Sequence, residues 1–311
     1  MAPDGTISTV AGNGTYGFSG DGGPATEAEF FSFDGIAFGP DDSIYVSDFW
    51  SGRVRKITAG IVTTVAGTGV VWFFGGDGGP ATEATLNGPE GIAVGPDGSL
   101  YIADAYNSRV RRVAPGGSIS TVAGNGMYGS SGDVGPATEA ALQEPSAVVV
   151  GADGNLYILA SGPWDARILR VSPNGLITTV GGGGLGASYS LALARDASLY
   201  FDLYRYPPGI NVVDRISSDG IISTVAGEGD SLADGIPAAR SNLWGTEAVA
   251  AAPDGSISRS AGLASPSALR STRSTICRTG SARRLPLPVR GRGVTRRRMA
   301  PTGWNRPSSG S

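Results

Sequence analysis

Asp21, Asp77 and Asp133 recur at a spacing of 56 residues, each inside a glycine-rich loop: GDGGPATEA at Gly20–Ala28, the same run at Gly76–Ala84, and GDVGPATEA at Gly132–Ala140. Glycines around an acid could cradle phosphate, hold a metal ion, or serve as a structural seam. A phosphate loop needs Lys and Ser or Thr after its glycines at a helix start, and here Pro and Ala follow. Calcium is the better rival, because Glu27, Glu83 and Glu139 accompany the aspartates. It wants six to eight oxygens, however, and one copy offers two carboxylates. The structural reading explains more. Pro24, Pro80 and Pro136 would each open a helical turn, with Glu three residues on favouring its positive end. Six positions after each proline an apolar side chain returns, at Phe30, Leu86 and Leu142, and at Leu243 after the fainter copy at Pro237. This residue is expected to plug the loop into the core. Calcium at Asp21, Asp77 and Asp133 is kept as the alternative, and no other cofactor is expected.

Other chemistry is narrowed by what is missing. The chain has no histidine, which removes the common zinc ligand, the usual general base and the serine triad. Cys277 stands alone, so disulfides do not hold the fold. Asp48 with Arg53, and Asp104 with Arg109, bracket a short turn and are expected to close it as ion pairs, each contributing about 0–1 kcal/mol at a surface. Ala160 replaces the aspartate in the third copy.

The elements that position these residues repeat with them. TVAG begins at Thr9, Thr64, Thr121 and Thr224, with TVGG at Thr179. After each loop comes a short apolar run (DGIAFGP, EGIAVGP), a tight turn (PDD, PDG, ADG), and an alternating run (SIYVSD, SLYIAD, NLYILA) with the period of a strand. A third run (RVRKI, RVRRV, RILRV), a second turn such as Pro173–Gly175 and a fourth run (LITTV) complete the unit. Four antiparallel strands per unit, repeated about five times, predict an all-β chain: a β-propeller of four-stranded blades, incomplete, with a six-bladed parent. The propeller is placed at residues 1–257. Ala2–Gly12 is expected to act as its closing strand.

The unit resembles the NHL repeat, whose core matches YIADAYNSRV at Tyr101–Val110, and in particular the bacterial and teneurin-type versions that carry the TVAG and GDGGPATEA segments. The likeness runs from Thr6 to Ile257 and thins at Gly181–Leu203, where Arg195, Ala197 and Leu203 replace the expected Pro, Gly and Asp. It implies a propeller that binds or scaffolds, and a secreted or cell-surface parent. Relatives include zinc-dependent amidating lyases, whose site needs histidine, and calcium-dependent lactonases. The lactonase is therefore the enzymatic alternative to a non-catalytic module.

In such a meander the loop inserts and the hairpins between second and third strands share one face. That face collects Tyr16, Phe18, Phe49, Trp50, Trp72, Phe73, Phe74, Tyr106, Tyr128, Trp164, Tyr204 and Tyr206, twelve of the 24 aromatic residues. Clustered aromatics on loops mark a binding surface. Phe49, Trp50, Trp72, Phe73, Tyr106, Tyr128, Trp164, Tyr204 and Tyr206 are the candidate contacts, for a protein or glycan partner, although several rings could instead fold back over the insert. Through residue 257 there are 27 acids and 12 basic residues, a net of −15, which disfavours nucleic acid. No apolar run is long enough to cross a membrane, and MAPDGTISTV has neither the basic nor the apolar part of a signal peptide, so compartment and oligomeric state stay open. From Ser258 onward come 12 arginines and no acid. This Arg/Ser/Pro-rich segment, 258–311, reads as a disordered tail or as the product of a shifted reading frame that replaced the rest of the last blade.

Overall fold

The computed structural model describes residues 6–162, 166–182, 186–205, 209–231, 236–243, 246–252 and 254–261. Four antiparallel sheets follow one another along the chain. Blade 1 is β1 (Gly35–Phe38), β2 (Ile44–Asp48), β3 (Arg53–Thr58) and β4 (Ile61–Ala66); blade 2 is β5 (Pro89–Val94), β6 (Leu100–Asp104), β7 (Arg109–Val113) and β8 (Ile119–Ala123). Blade 3 is β9 (Pro145–Val150), β10 (Leu156–Ser161), β11 (Ala166–Val171) and β12 (Ile177–Gly182), and blade 4 is β13 (Leu191–Leu193), β14 (Leu199–Arg205), β15 (Ile210–Ile216) and β16 (Ile222–Ala226). A fifth sheet pairs β17 (Thr246–Ala251) with β18 (Ile257–Ala261). The first strands β1, β5, β9 and β13 pack side by side and so line the axis. The architecture is the expected propeller.

Local chemistry sets each hairpin. At every first turn an aspartate carboxylate accepts the N–H two residues on: Asp41 from Ser43, Asp97 from Ser99, Asp153 from Asn155, Asp196 from Ser198 and Asp254 from Ser256. Such side-chain-closed turns nucleate the hairpin locally. The residue between them has positive φ. It is glycine at 98, 154 and 255, and Asp42 and Ala197 adopt the same conformation in blades 1 and 4.

The insert explains how blades join. It leaves the end of one blade, pairs briefly with the outer strand of the next, then dives inward to start that blade's first strand. Pro24 bridges Ile61, Pro80 bridges Ser118 and Pro136 bridges Leu176, so each outer edge is covered. After the proline the chain makes a single 3-10 turn (Ala25–Glu27, Ala81–Glu83, Ala137–Glu139), with proline as its extended cap. Phe30, Leu86, Leu142 and Leu243 are buried, as the plug reading expects. Leu86 lies among Val54 and Ala66 of blade 1 and Ile92, Leu100 and Ile119 of blade 2. Leu142 and Leu243 lie likewise between blades 2 and 3 and between blades 4 and the fifth sheet.

Two boundaries differ from expectation. Thr6–Val10 form no strand and are exposed, while residues 1–5 lie outside the described ones, so the closing strand is not formed there. Correspondingly Ile36 of β1 is 62% exposed where its counterpart Ile92 is 6%, because among the described residues no blade packs on that side. The tail was expected from Ser258, but Ser258–Ala261 belong to β18, since pairing with β17 satisfies the backbone whatever side chains it carries. Residues 262–311, with Cys277 and the arginine-rich run, lie outside the described residues. Among the described residues no helix is long and apolar enough to cross a membrane.

Leu86→Ala should lower unfolding stability by about 3 kcal/mol, because the plug seals two sheets at once, whereas Ile36→Ala should change it by no more than about 0.5 kcal/mol. Urea midpoints of the two variants at unchanged slope check this; equal shifts would refute the plug.

Candidate functional site

The β2–β3 and β6–β7 hairpins place their aromatics in one group. The Phe49 ring meets Trp50 edge-on at 4.9 Å and Tyr106 of the next blade at 5.3 Å, with interplanar angles of 76° and 77°. Gly88 makes the approach feasible. It has φ +64°, and a Cβ there would lie 2.9 Å from the Phe49 ring and 3.1 Å from Tyr106. Edge-to-face packing of this kind holds rings in fixed orientation. Trp50 nevertheless stays 64% exposed.

The inserts add a second row. Tyr16, Trp72 and Tyr128 are equivalent residues of three successive inserts, and all are exposed. Trp72 is 71% exposed and has φ +76°, a left-handed conformation that a bulky side chain rarely adopts. Its neighbour Phe73 is exposed as well, and Tyr128 accepts a hydrogen bond from Gln143 Nε2 at 2.8 Å. Tyr204 is half-buried in β14, its N–H bound to Ala187 O, and so stands apart from the exposed rows. Trp164 and Tyr206 lie outside the described residues. Phe18 and Phe74 do fold back: the Arg53 guanidinium stands 3.7 Å over Phe18, and that of Arg109 stands 3.7 Å over Phe74.

The pairs Asp48–Arg53 and Asp104–Arg109 face each other in register but do not form the expected ion pairs. Arg53 donates to Ser51 O and Thr68 O, and Arg109 to Asn107 O and Asn125 O, tying each hairpin to the insert beside it. Asp48 accepts from the N–H groups of Phe31 and Ser32, and Asp104 from Asn87 N–H and Asn107 Nδ2. Both aspartates are fully buried and satisfied by N–H groups at the strand starts, while the half-buried Arg53 and Arg109 are held by backbone carbonyls of the hairpin and insert.

The residues that bind the glycine loops are others, Arg55 and Arg111, both fully buried. Arg55 holds Asp21 at 2.8 Å and donates to Ser19 O and Glu29 O. Arg111 holds Asp77 at 2.7 Å and Asp104 at 3.3 Å, and donates to Gly75 O and Thr85 O. Thr64 and Thr121 hydroxyls take the second oxygens of Asp21 and Asp77. A guanidinium and a hydroxyl thus occupy the places where calcium would need open oxygens. Asp133 differs, accepting N–H bonds from Thr179 and Val134. The signal for these arginines was present in RVRKI and RVRRV: the second arginine falls to Leu169 in the copy where Asp falls to Ala160.

Near the axis, Asp34, Glu90 and Glu144 gather at the start of the inner strands. Burial, with the charges of Asp34 and Glu144 added, pushes the Glu90 carboxyl up to about 7. Among the described residues no group of three or more His, Cys, Asp or Glu side chains is placed to hold a metal ion.

A family model described as the teneurin NHL domain matches residues 74–132, which span the second half of one insert, blade 2 and the start of the next insert. Human teneurin-4 is 28% identical over 225 residues, covering 60% of this chain and 8% of that protein. The chain spans 15% or less of the length of the curated relatives first matched. A chain in the crystal structure of a nidogen/laminin complex aligns with TM-score 0.51 at 15% identity, over 74% of this chain and 72% of that one. A gluconolactonase from Xanthomonas campestris aligns with TM-score 0.50 at 17% identity, over 74% and 72%. At these identities the two structures share the fold alone.

Glu90 gives a pH test. Its native pKa is raised above the unfolded carboxylate value, so the native state binds the extra proton and stability should fall as pH rises from about 4.5 to about 7. Glu90→Gln should remove that part of the slope and raise stability at pH 8; an unchanged slope would show that Glu90 titrates normally.

Proposed function

The chain is built of NHL repeats folded as propeller blades, and from that premise we propose that it is a non-catalytic recognition module whose loop face takes a protein or glycan partner. The observation that supports this reading is the repeated exposed ring on successive inserts, Tyr16, Trp72 and Tyr128, beside the rigid Phe49–Trp50–Tyr106 group. Rings fixed before binding lose little conformational freedom on contact, which is why such residues dominate interface energetics. Phe73 belongs to the same surface, and the acid excess of the repeat region favours a partner of positive charge. Nothing about the inner carboxylates requires turnover. Burial, with the charges of Asp34 and Glu144 added, accounts for the raised Glu90 pKa.

Arrays of glycans and of extracellular protein domains, probed with the full chain, should yield one binding class. Trp50→Ala and Trp72→Ala should each weaken the binding by tenfold or more, about 1.4 kcal/mol, with folding unchanged. Calorimetry with calcium and a lactone screen run alongside: micromolar calcium binding together with lactone hydrolysis would establish the enzymatic alternative and defeat the module.

A further inference from the structure

Blade 3 lacks three side chains that blades 1 and 2 share. Phe18 and Phe74 become Ser130, Arg55 and Arg111 become Leu169, and Asp48 and Asp104 become Ala160. The result is a partly open concavity on the loop face, about 350 Å³ counting the solvent at its mouth, of which only about 20 Å³ is room that a water-sized group can occupy. Its floor is Leu142, Leu169 and Ile177, and its polar edge carries Ser131, Asp133 and Thr179.

What remains is the receptor half of a broken contact. In blade 1 the guanidinium of Arg55 is held by the Asp21 carboxylate and the carbonyls of Ser19 and Glu29; in blade 2 that of Arg111 is held by Asp77 and the carbonyls of Gly75 and Thr85. The equivalents in blade 3 are Asp133, Ser131 O and Ala141 O, all retained. Both Asp133 contacts are made by N–H groups, of Val134 and Thr179, and the Thr179 hydroxyl is buried without a partner. A buried hydroxyl left unpaired is costly, and a ligand that supplies donors relieves it. The ring that closes the outside in blades 1 and 2 is also gone, so the acceptors can be reached from solvent.

We infer that this cavity is a socket for a guanidinium group, the side chain of an arginine presented by a partner. The occupant is defined by what fills the same place twice in this molecule. Arg167 lines the cavity and donates to Ser130 O at 3.4 Å, and its charge does not exclude a second guanidinium. Arg53 with Arg55, and Arg109 with Arg111, flank one phenylalanine ring in blades 1 and 2. The socket adjoins Tyr128, whose hydroxyl accepts from the cavity-lining Gln143, but neither Trp50 nor Trp72 lines it, so its test reads out apart from theirs.

The test uses the full chain and N-acetyl-L-arginine amide, followed by NMR shifts of the Ser131, Ala141 and Thr179 amides, with the lysine analogue as control. Saturable shifts are expected with arginine and at least tenfold weaker ones with lysine, whose point charge cannot span a carboxylate and two carbonyls. Leu169→Arg, which rebuilds the internal arginine of blades 1 and 2, should abolish binding in the folded variant. Ser130→Phe should block the mouth, Asp133→Asn should weaken binding tenfold or more, and Trp50→Ala should leave it unchanged. No saturable shift in the parent chain, or unaltered binding in the folded Leu169→Arg and Ser130→Phe variants, would overturn the proposal.

Discussion

A four-stranded sheet has two apolar faces and cannot bury both alone, and at three junctions of this chain that constraint is met by a single side chain wedged between neighbouring sheets. Leu86, Leu142 and Leu243 each sit where two blades and an insert converge. Because the plug lies six residues beyond the loop proline, burying it pulls the glycine-rich segment against the outer strand of the next blade. The glycines are thus a consequence of close backbone approach under the insert. A Cβ on Gly20, Gly76 or Gly132 would stand 2.8 Å or less from an alanine backbone atom of the same turn.

The insert must also satisfy its own polar groups, and two physical solutions appear. Blades 1 and 2 run a buried arginine from the third strand into the loop carboxylate and carbonyls. A buried charge is tolerated only when its partners are all present, since removing one leaves the other stranded. Blade 3 drops Arg, Asp and Phe together, at Leu169, Ala160 and Ser130, and a concerted loss is the arrangement that avoids a stranded charge. Asp133 alone keeps its carboxylate. Backbone N–H groups hold it there, so it survives without the arginine.

This logic also marks how far the sequence could be read. The period, the strands and the plug were legible, because alternation and spacing report burial directly. Side-chain pairing was not. Asp48 and Arg53 are neighbours in register, yet register says nothing of which donors an aspartate prefers once buried, and Phe31 and Ser32 N–H groups claim it. Arg55 and Arg111 were hidden for the opposite reason, because arginine in an alternating strand reads as a solvent-facing residue while here it is fully buried. The aromatic face was half legible. Composition placed the rings on loops, but only geometry separates Trp72, which points outward, from Phe74, which folds back beneath an arginine.

Blade 4 departs further from the first two. There the strand position of Arg55 is taken by a buried aspartate, Asp214, and the cation comes from Arg205 at 2.6 Å. That pair lies within the sheet, between β14 and β15, and involves no insert residue, while the sheet around it keeps its register, Leu199 opposite Ile216 as Ile44 is opposite Ile57. The same third-strand position therefore carries arginine in blades 1 and 2, Leu169 in blade 3 and Asp214 in blade 4. The aspartate-closed first turn recurs in every described sheet and the plug at the junctions that carry a full insert, whereas blade 4 packs on blade 3 through strand residues such as Leu159, Ile168 and Phe201, and the residue at the Arg55 position varies. A repeat protein that diversifies at such positions changes what its loop face can receive without altering how it folds.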